Sequence, residues 1–286
     1  MVDAPFTLGA VAYDPKVVTI WDGFRTWFNA RGFPFDYVLY SHYERQVEEL
    51  LEGHIDAAWS SPLAWVRARR LAAAAGTFVQ ALAMRDTDRD LTSVVVVRAN
   101  SDIETVAQLR GRVVGVGAVD SPQGTLIPLA HLQSLGLAAG EDFEVRGFDV
   151  GVGLHGDHIG GERDAARALT EGRVDAACMI DGNHLLFTRE GTLPGSSMRI
   201  LTQTAPYDHC TMATRPLLDA ETAGRFRELL LSMSYADPSV RPLLDLEGLK
   251  AWLPGRTEGY AQLETAVDTF HFYDRAGHIT ALDYRP

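Results

Sequence analysis

Lysine is nearly absent from this chain. Only Lys16 and Lys250 occur among its 26 basic residues. Acidic residues number 38, so the net charge is 26 − 38 = −12. That balance excludes a general affinity for nucleic acid, which asks for a basic surface. It leaves room for a small anion, because helix ends and single arginines set the potential of a pocket. Cysteine is scarce too. Cys178 and Cys210 are the only two, too few for a disulfide framework. Cys178 lies in an apolar strand and reads as a small core residue. No apolar run reaches membrane-spanning length, and Val94 to Val97 reads as a strand, so no membrane insertion is expected. Met1-Val2-Asp3-Ala4-Pro5 leads into a strand with no basic and no apolar leader region. As it stands the chain reads as cytoplasmic; with a leader removed it would be periplasmic or lipid-anchored. No helical metal motif occurs, so neither a metal nor a cofactor is expected.

What is present is a repeat. Leu50-Leu51-Glu52-Gly53-His54-Ile55-Asp56-Ala57-Ala58-Trp59 recurs as Ala168-Leu169-Thr170-Glu171-Gly172-Arg173-Val174-Asp175-Ala176-Ala177-Cys178. Each copy reads as a helix end, a Gly stop and a buried strand opened by Asp. Its 286 residues, 46% of them apolar, suffice for two domains of ordinary size. A duplicated Asp at one position reads as serving the fold.

Along the chain, short apolar strands alternate with helices. Val17, Ile20, Trp21, Phe24, Trp27 and Phe28 share one face of a helix over 17–30. Ser61-Pro62 opens another helix, in the favoured order of N-cap and first turn. Phe78 to Met84 and Thr92 to Arg98 read as strands joined by a charged turn. A helix runs through Leu135, and Pro128 leaves its start open between Pro122 and Pro128. A Gly-rich loop over 151–161 precedes a helix over 162–171. The alternation predicts an α/β protein with parallel sheets. The repeat predicts two lobes, the first made of 1–100 and 200–286 and the second of 101–199. Two lobes joined by short crossings would enclose a cleft and close by hinge motion.

Three segments carry a resemblance to a known family. They are Tyr43 to Ala58 with Ser61-Pro62-Leu63-Ala64-Trp65-Val66, then Asp120-Ser121 through Pro128, and Arg163-Asp164-Ala165-Ala166 through Ala177. The chain resembles the periplasmic-binding-protein-like fold, type II. Within it, the chain is similar to the phosphate, phosphite and phosphonate substrate-binding proteins of ABC transporters. The resemblance spans roughly residues 5–235. It implies an α/β, two-lobed fold with the ligand cleft between the lobes, and an ABC transporter permease as partner. There are departures. Where the family carries Ser-Thr-Ser-Gly in its anion loop, this chain has Ser121-Pro122-Gln123-Gly124. Pro122 offers no N–H and two hydroxyls are gone. Arg163 stands where the family has a His. Both changes point to a ligand larger than a plain phosphonate, or one carrying a carboxylate or an amine.

The candidate ligand residues follow from placement. Ser60 and Ser61 stand at one helix start; Ser121, Gln123, Gly124 and Thr125 stand at another. Unpaired N–H groups at such ends attract anions, and at the carboxyl edges of parallel strands both would face a cleft. The alternative is that both serines are ordinary caps. Tyr13 and Tyr43 follow strands and could orient a polar ligand, or pack as structural residues. His158, in His155-Gly156-Asp157-His158, could donate to a ligand, act as an acid or base, share a metal with its neighbours, or face solvent. Arg163 near a helix start runs against the dipole; an anionic ligand or Glu162 would answer it. His209-Cys210 allows a nucleophile pair or a structural cysteine. Two functions stay open. The first is a solute-binding protein closing on a small anionic or polar metabolite. The second is a cytoplasmic enzyme on the same fold, of a lyase or biosynthetic type, using His158.

Overall fold

The computed structural model describes residues 4–286. Two units emerge. Unit one takes the chain up to Arg89, then Asp208–Tyr260 and Tyr273–His278. Unit two takes Asp90–Tyr207, Ala261–Phe272 and Ile279–Pro286. The crossings thus fall at 89/90 and 207/208 rather than near 100 and 200. The C-terminal residues are shared between the units instead of belonging to one. The expectation drawn from the first five residues rests partly on positions 1–3, which lie outside the described residues.

Unit one opens with β1 (Phe6–Val11), α1 (Lys16–Asn29), β2 (Phe35–Tyr40), α2 (Tyr43–Glu52), β3 (Ala57–Ser60), α3 (Pro62–Ala74) and β4 (Gln80–Arg85). Unit two runs β5 (Ser93–Arg98), β6 (Val113–Val116), α4 (Ile127–Ser134), β7 (Glu144–Gly147), α5 (Gly160–Thr170), β8 (Ala176–Ile180), α6 (Asp181–Glu190) and β9 (Met198–Gln203). The chain returns through β10 (Thr211–Thr214), α7 (Ala220–Ser232), α8 (Arg241–Glu247) and β11 (Trp252–Pro254) to unit one. It then adds α9 (Ala261–Thr269) to unit two.

The sheet of unit one has the order β11-β4-β10-β3-β1-β2, and that of unit two β7-β6-β8-β5-β9. Both hold a parallel trio, β2-β1-β3 and β7-β6-β8. Next to each trio lies an antiparallel strand, β10 beside β3 and β5 beside β8. The sheets are therefore mixed, not parallel throughout. These two are the first strands the chain makes after each crossing, with no helical crossover to turn them parallel. For the same reason the strands at Phe78 to Met84 and Thr92 to Arg98 do not pair with each other. They belong to different units.

Local chemistry explains the elements. The six apolar residues at helical spacing on α1 are all buried. Phe28 lies 4.7 Å from Phe35, and Phe6 lies 4.4 Å from Phe226, between ring centroids. Burying each such ring contributes about 1.5–3 kcal/mol. Gly53 and Gly172 stop the two repeated helices at φ +80° and +74°, a region that strains any side chain. Each repeated Asp then clasps a neighbouring strand. Thr7 N donates to Asp56 Oδ2 and Val113 N to Asp175 Oδ2, both at 2.9 Å. Asp56 N and Asp175 N return bonds of 2.8 Å to the Thr7 and Val113 carbonyls. The reading of these residues as structural holds in both units.

Candidate functional site

In unit one, β1, β2 and β3 end together at Val11, Tyr40 and Ser60, because the three run parallel. Ligands of open α/β sheets bind outside such carboxyl ends. Tyr13 follows β1, half-buried, with Lys16 Nζ 5.7 Å from its ring centre. Tyr43 begins α2 and is fully buried. Ser60 is buried, and its hydroxyl reaches the Ala58 carbonyl at 3.5 Å. Ser61 caps α3: its Oγ accepts from Ala64 N at 3.1 Å, with Pro62 in the first turn. The positive end of the α3 dipole therefore lies at this edge. Tyr40 stands there too. Burial, reinforced by Glu49, pushes its hydroxyl up to about 12, which keeps it a neutral donor.

Two residues of this edge were not singled out from sequence. Gln46, buried, donates to the Gly9 carbonyl at 2.9 Å and the Trp59 carbonyl at 3.1 Å, tying β1 to β3. Glu44, buried, accepts from the Tyr273 hydroxyl at 3.0 Å. The signal for both was polar residues at buried positions of an amphipathic helix. Trp59 is buried core.

In unit two, β6 and β7 end together at Val116 and Gly147, and the parallel β8 runs on to Ile180. Pro122–Leu126 forms a wide π-helical turn that runs directly into α4. A π-helical turn thus opens at Pro122, and the α-helix itself begins at Ile127, beside Pro128. Ser121, Gln123, Gly124 and Thr125 all lie in or at this turn, buried. Their polar groups are engaged within the unit. Ser121 Oγ accepts from Gly124 N at 3.0 Å, and Thr125 Oγ1 donates to the Ala118 carbonyl at 2.8 Å. Gln123 Nε2 donates to the Gly156 carbonyl at 2.8 Å. Gly156, at φ +76°, covers the turn so closely that a Cβ there would stand 2.3 Å from Ser121 Oγ. The Gly-rich loop is pinned in place by Asp120. Its buried carboxylate accepts from Gly153 N at 2.7 Å and His155 N at 3.1 Å.

The remaining predicted residues do not join this turn. His158 is exposed, and its Nδ1 accepts from Gly160 N at 3.2 Å. His155, in contrast, is buried, with Nε2 3.3 Å from the Tyr284 hydroxyl. Arg163 pairs with Glu190 at 2.7 Å and lies over the Phe187 ring. That answers its conflict with the helix dipole through Glu190, not through Glu162. Glu162 points inward instead. Its buried carboxylate accepts from Ile180 N at 3.0 Å and Asn183 Nδ2 at 2.9 Å. It also packs against Gly124, whose added Cβ would stand 2.9 Å from Glu162 Cγ. Asp120, Glu162 and Asp181, the first residue of α6, give the carboxyl edge of unit two three acidic residues. A cavity of about 750 Å³ also opens in unit two, walled by Leu126, Leu129, Val145, Phe270 and Phe272. Its largely apolar wall does not suit an oxyanion.

The family model described as ABC transporter, phosphonate, periplasmic substrate-binding protein matches residues 9–260. The chain belongs to that family. Among solved structures, PhnD1 from Prochlorococcus marinus, in complex with methylphosphonate, superposes with a TM-score of 0.70. The identity is 17%, over 94% of this chain and 98% of that one. XAC2383 from Xanthomonas citri, bound to ATP, gives 0.70 at 18% identity, over 93% and 96%. The periplasmic aliphatic sulphonate binding protein SsuA from Escherichia coli gives 0.58 at 21%, over 93% and 91%. The expected fold, an α/β two-lobe binding-protein fold of type II, is thereby established. No helix among the described residues is long and apolar enough to cross a membrane.

Proposed function

We propose that this chain binds a small phosphonate-class oxyanion whose carbon chain carries an amine, and delivers it to the permease of an ABC transporter. The family match over residues 9–260 carries the oxyanion and the transporter. The α3 N-terminus capped by Ser61, at a carboxyl strand edge, supports an anion contact in unit one. Tyr13, Tyr43 and Ser60 belong to the same proposed contact surface. The amine rests on unit two. Asp120 and Glu162 bury negative charge beside the turn holding Ser121, Gln123, Gly124 and Thr125. A second carboxylate on the ligand would be repelled there, and an ammonium group attracted. His158 and Arg163 stay in the proposed ligand set as residues of the loop and helix beside that turn. The place of action is that of the family, outside the cytoplasmic membrane.

Isothermal titration with four ligands tests the reading: an aminoalkylphosphonate, the alkylphosphonate of equal length, the carboxyalkylphosphonate, and inorganic phosphate. The aminoalkylphosphonate should bind roughly tenfold or more tighter than the others, at least about 1.4 kcal/mol. Tighter binding of the carboxyalkyl compound would overturn the amine assignment. Failure of all three phosphonates would overturn the ligand class.

A further inference from the structure

Unit one holds a cluster that the phosphonate reading does not use. Cys210 Sγ lies 3.1 Å from His209 Nδ1, and His209 Nδ1 lies 3.5 Å from Asp88 Oδ1. All three ligand atoms fall within 4.8 Å of one another. The residues are only 3%, 8% and 1% exposed for Cys210, His209 and Asp88. We propose that Asp88, His209 and Cys210 form a binding site for a divalent cation of the zinc type.

Spacing is the first argument. A tetrahedral zinc ion holds sulfur at about 2.3 Å and nitrogen or oxygen at about 2.0 Å, which sets its donors roughly 3.3–3.5 Å apart. Two of the three donor pairs, at 3.1 and 3.5 Å, stand near that spacing, and the third lies within 4.8 Å. Donor type is the second argument: one thiol, one imidazole and one carboxylate are the groups zinc takes, and three of them leave a fourth position for water. Support is the third. His209 N donates to the Asp88 carbonyl at 2.8 Å, and the Tyr260 hydroxyl donates to the His209 carbonyl at 2.9 Å. Arg85 Nε and Nη2 grip the Asp88 carboxylate at 2.6 and 2.8 Å. Metal-binding carboxylates are held by such outer partners. Arg85 is itself a cation, which would oppose a metal. However, its charge is shared with the buried Glu247, 3.3 Å from Nη1. Asp88 directly precedes the residue where the chain leaves unit one, and His209 follows the residue where it returns. A bound ion would fasten those two crossing segments together within unit one.

Cobalt serves as the probe. The full chain is stripped with a chelator, freed of phosphonate and titrated with Co²⁺. One equivalent should bind with a thiolate-to-cobalt absorption band in the near ultraviolet. Zinc should erase that band. Cys210→Ser should abolish it, and His209→Gln should weaken binding roughly tenfold or more. Cys178 is a poor substitute, because among the described residues it belongs to no group of three or more donors. The second trio, Glu49, Glu52 and His54, contains no sulfur and gives no thiolate band. Absence of the band at stoichiometric cobalt in the unaltered chain would overturn the proposal. So would a band that survives in a folded Cys210→Ser or keeps its affinity in His209→Gln. The unaltered chain alone decides the case if either variant fails to fold.

Discussion

Asp56 and Asp175 perform one task twice. Each accepts the opening amide of a neighbouring strand and returns its own N–H to that residue's carbonyl. Alanine at either position strands an amide at a strand edge, at a cost of about 1–3 kcal/mol. Asp56 also holds Arg215 Nε at 2.9 Å, whereas Arg98 stands 3.6 Å from Asp175. Urea denaturation should therefore show Asp56→Ala as the costlier of the two, and unchanged stability in both would refute the clasp. Asp88 gives a pH signature. Its carboxyl is buried, a cost that Arg85 and His209 outweigh, and it is held down to about 2 against 3.8. A lowered folded value contributes stability that is complete above about pH 4 and is lost as pH falls toward about 2, roughly 2 kcal/mol in all. Thermal melts across that window should fall less steeply for Asp88→Asn than for the unaltered chain, whatever the substitution costs at neutral pH. Parallel slopes would contradict this assignment.

At the scale of elements, the head of α3 joins stability to binding. Ser61→Ala removes the cap on Ala64 N and should cost about 1 kcal/mol. It should also weaken phosphonate binding in a titration, and a variant that loses stability but keeps full affinity would dissociate the cap from the ligand. Sequence made some elements legible and others not, for identifiable reasons. The buried face of α1 was readable because a helical period is local. The two Asp clasps were readable because the motif is repeated. Membership of β5 in the second sheet was not, since its partners β8 and β9 lie some 80 and 100 residues further on. Nor could local pattern show that Gly156 covers the Ser121 turn, or that Arg163 reaches Glu190 rather than its neighbour Glu162. Those outcomes depend on which loops meet, and periodicity carries no record of that. Ser121 to Thr125 do fall in one turn, because they are contiguous.

At the scale of the molecule, two units with matching parallel trios each present a carboxyl edge. Each edge has a helix start capped by a serine. The edges differ in acidic load, since that of unit two carries Asp120, Glu162 and Asp181 where that of unit one carries Glu44. That asymmetry is the basis for expecting a ligand of mixed charge, within a family described by phosphonate binding. The most direct test is native mass spectrometry of the protein as purified, followed by release and identification of any bound small molecule. The account predicts a single phosphonate bearing an amine, returned chemically unchanged. A phosphorus-free ligand, or a molecule altered while bound, would contradict it.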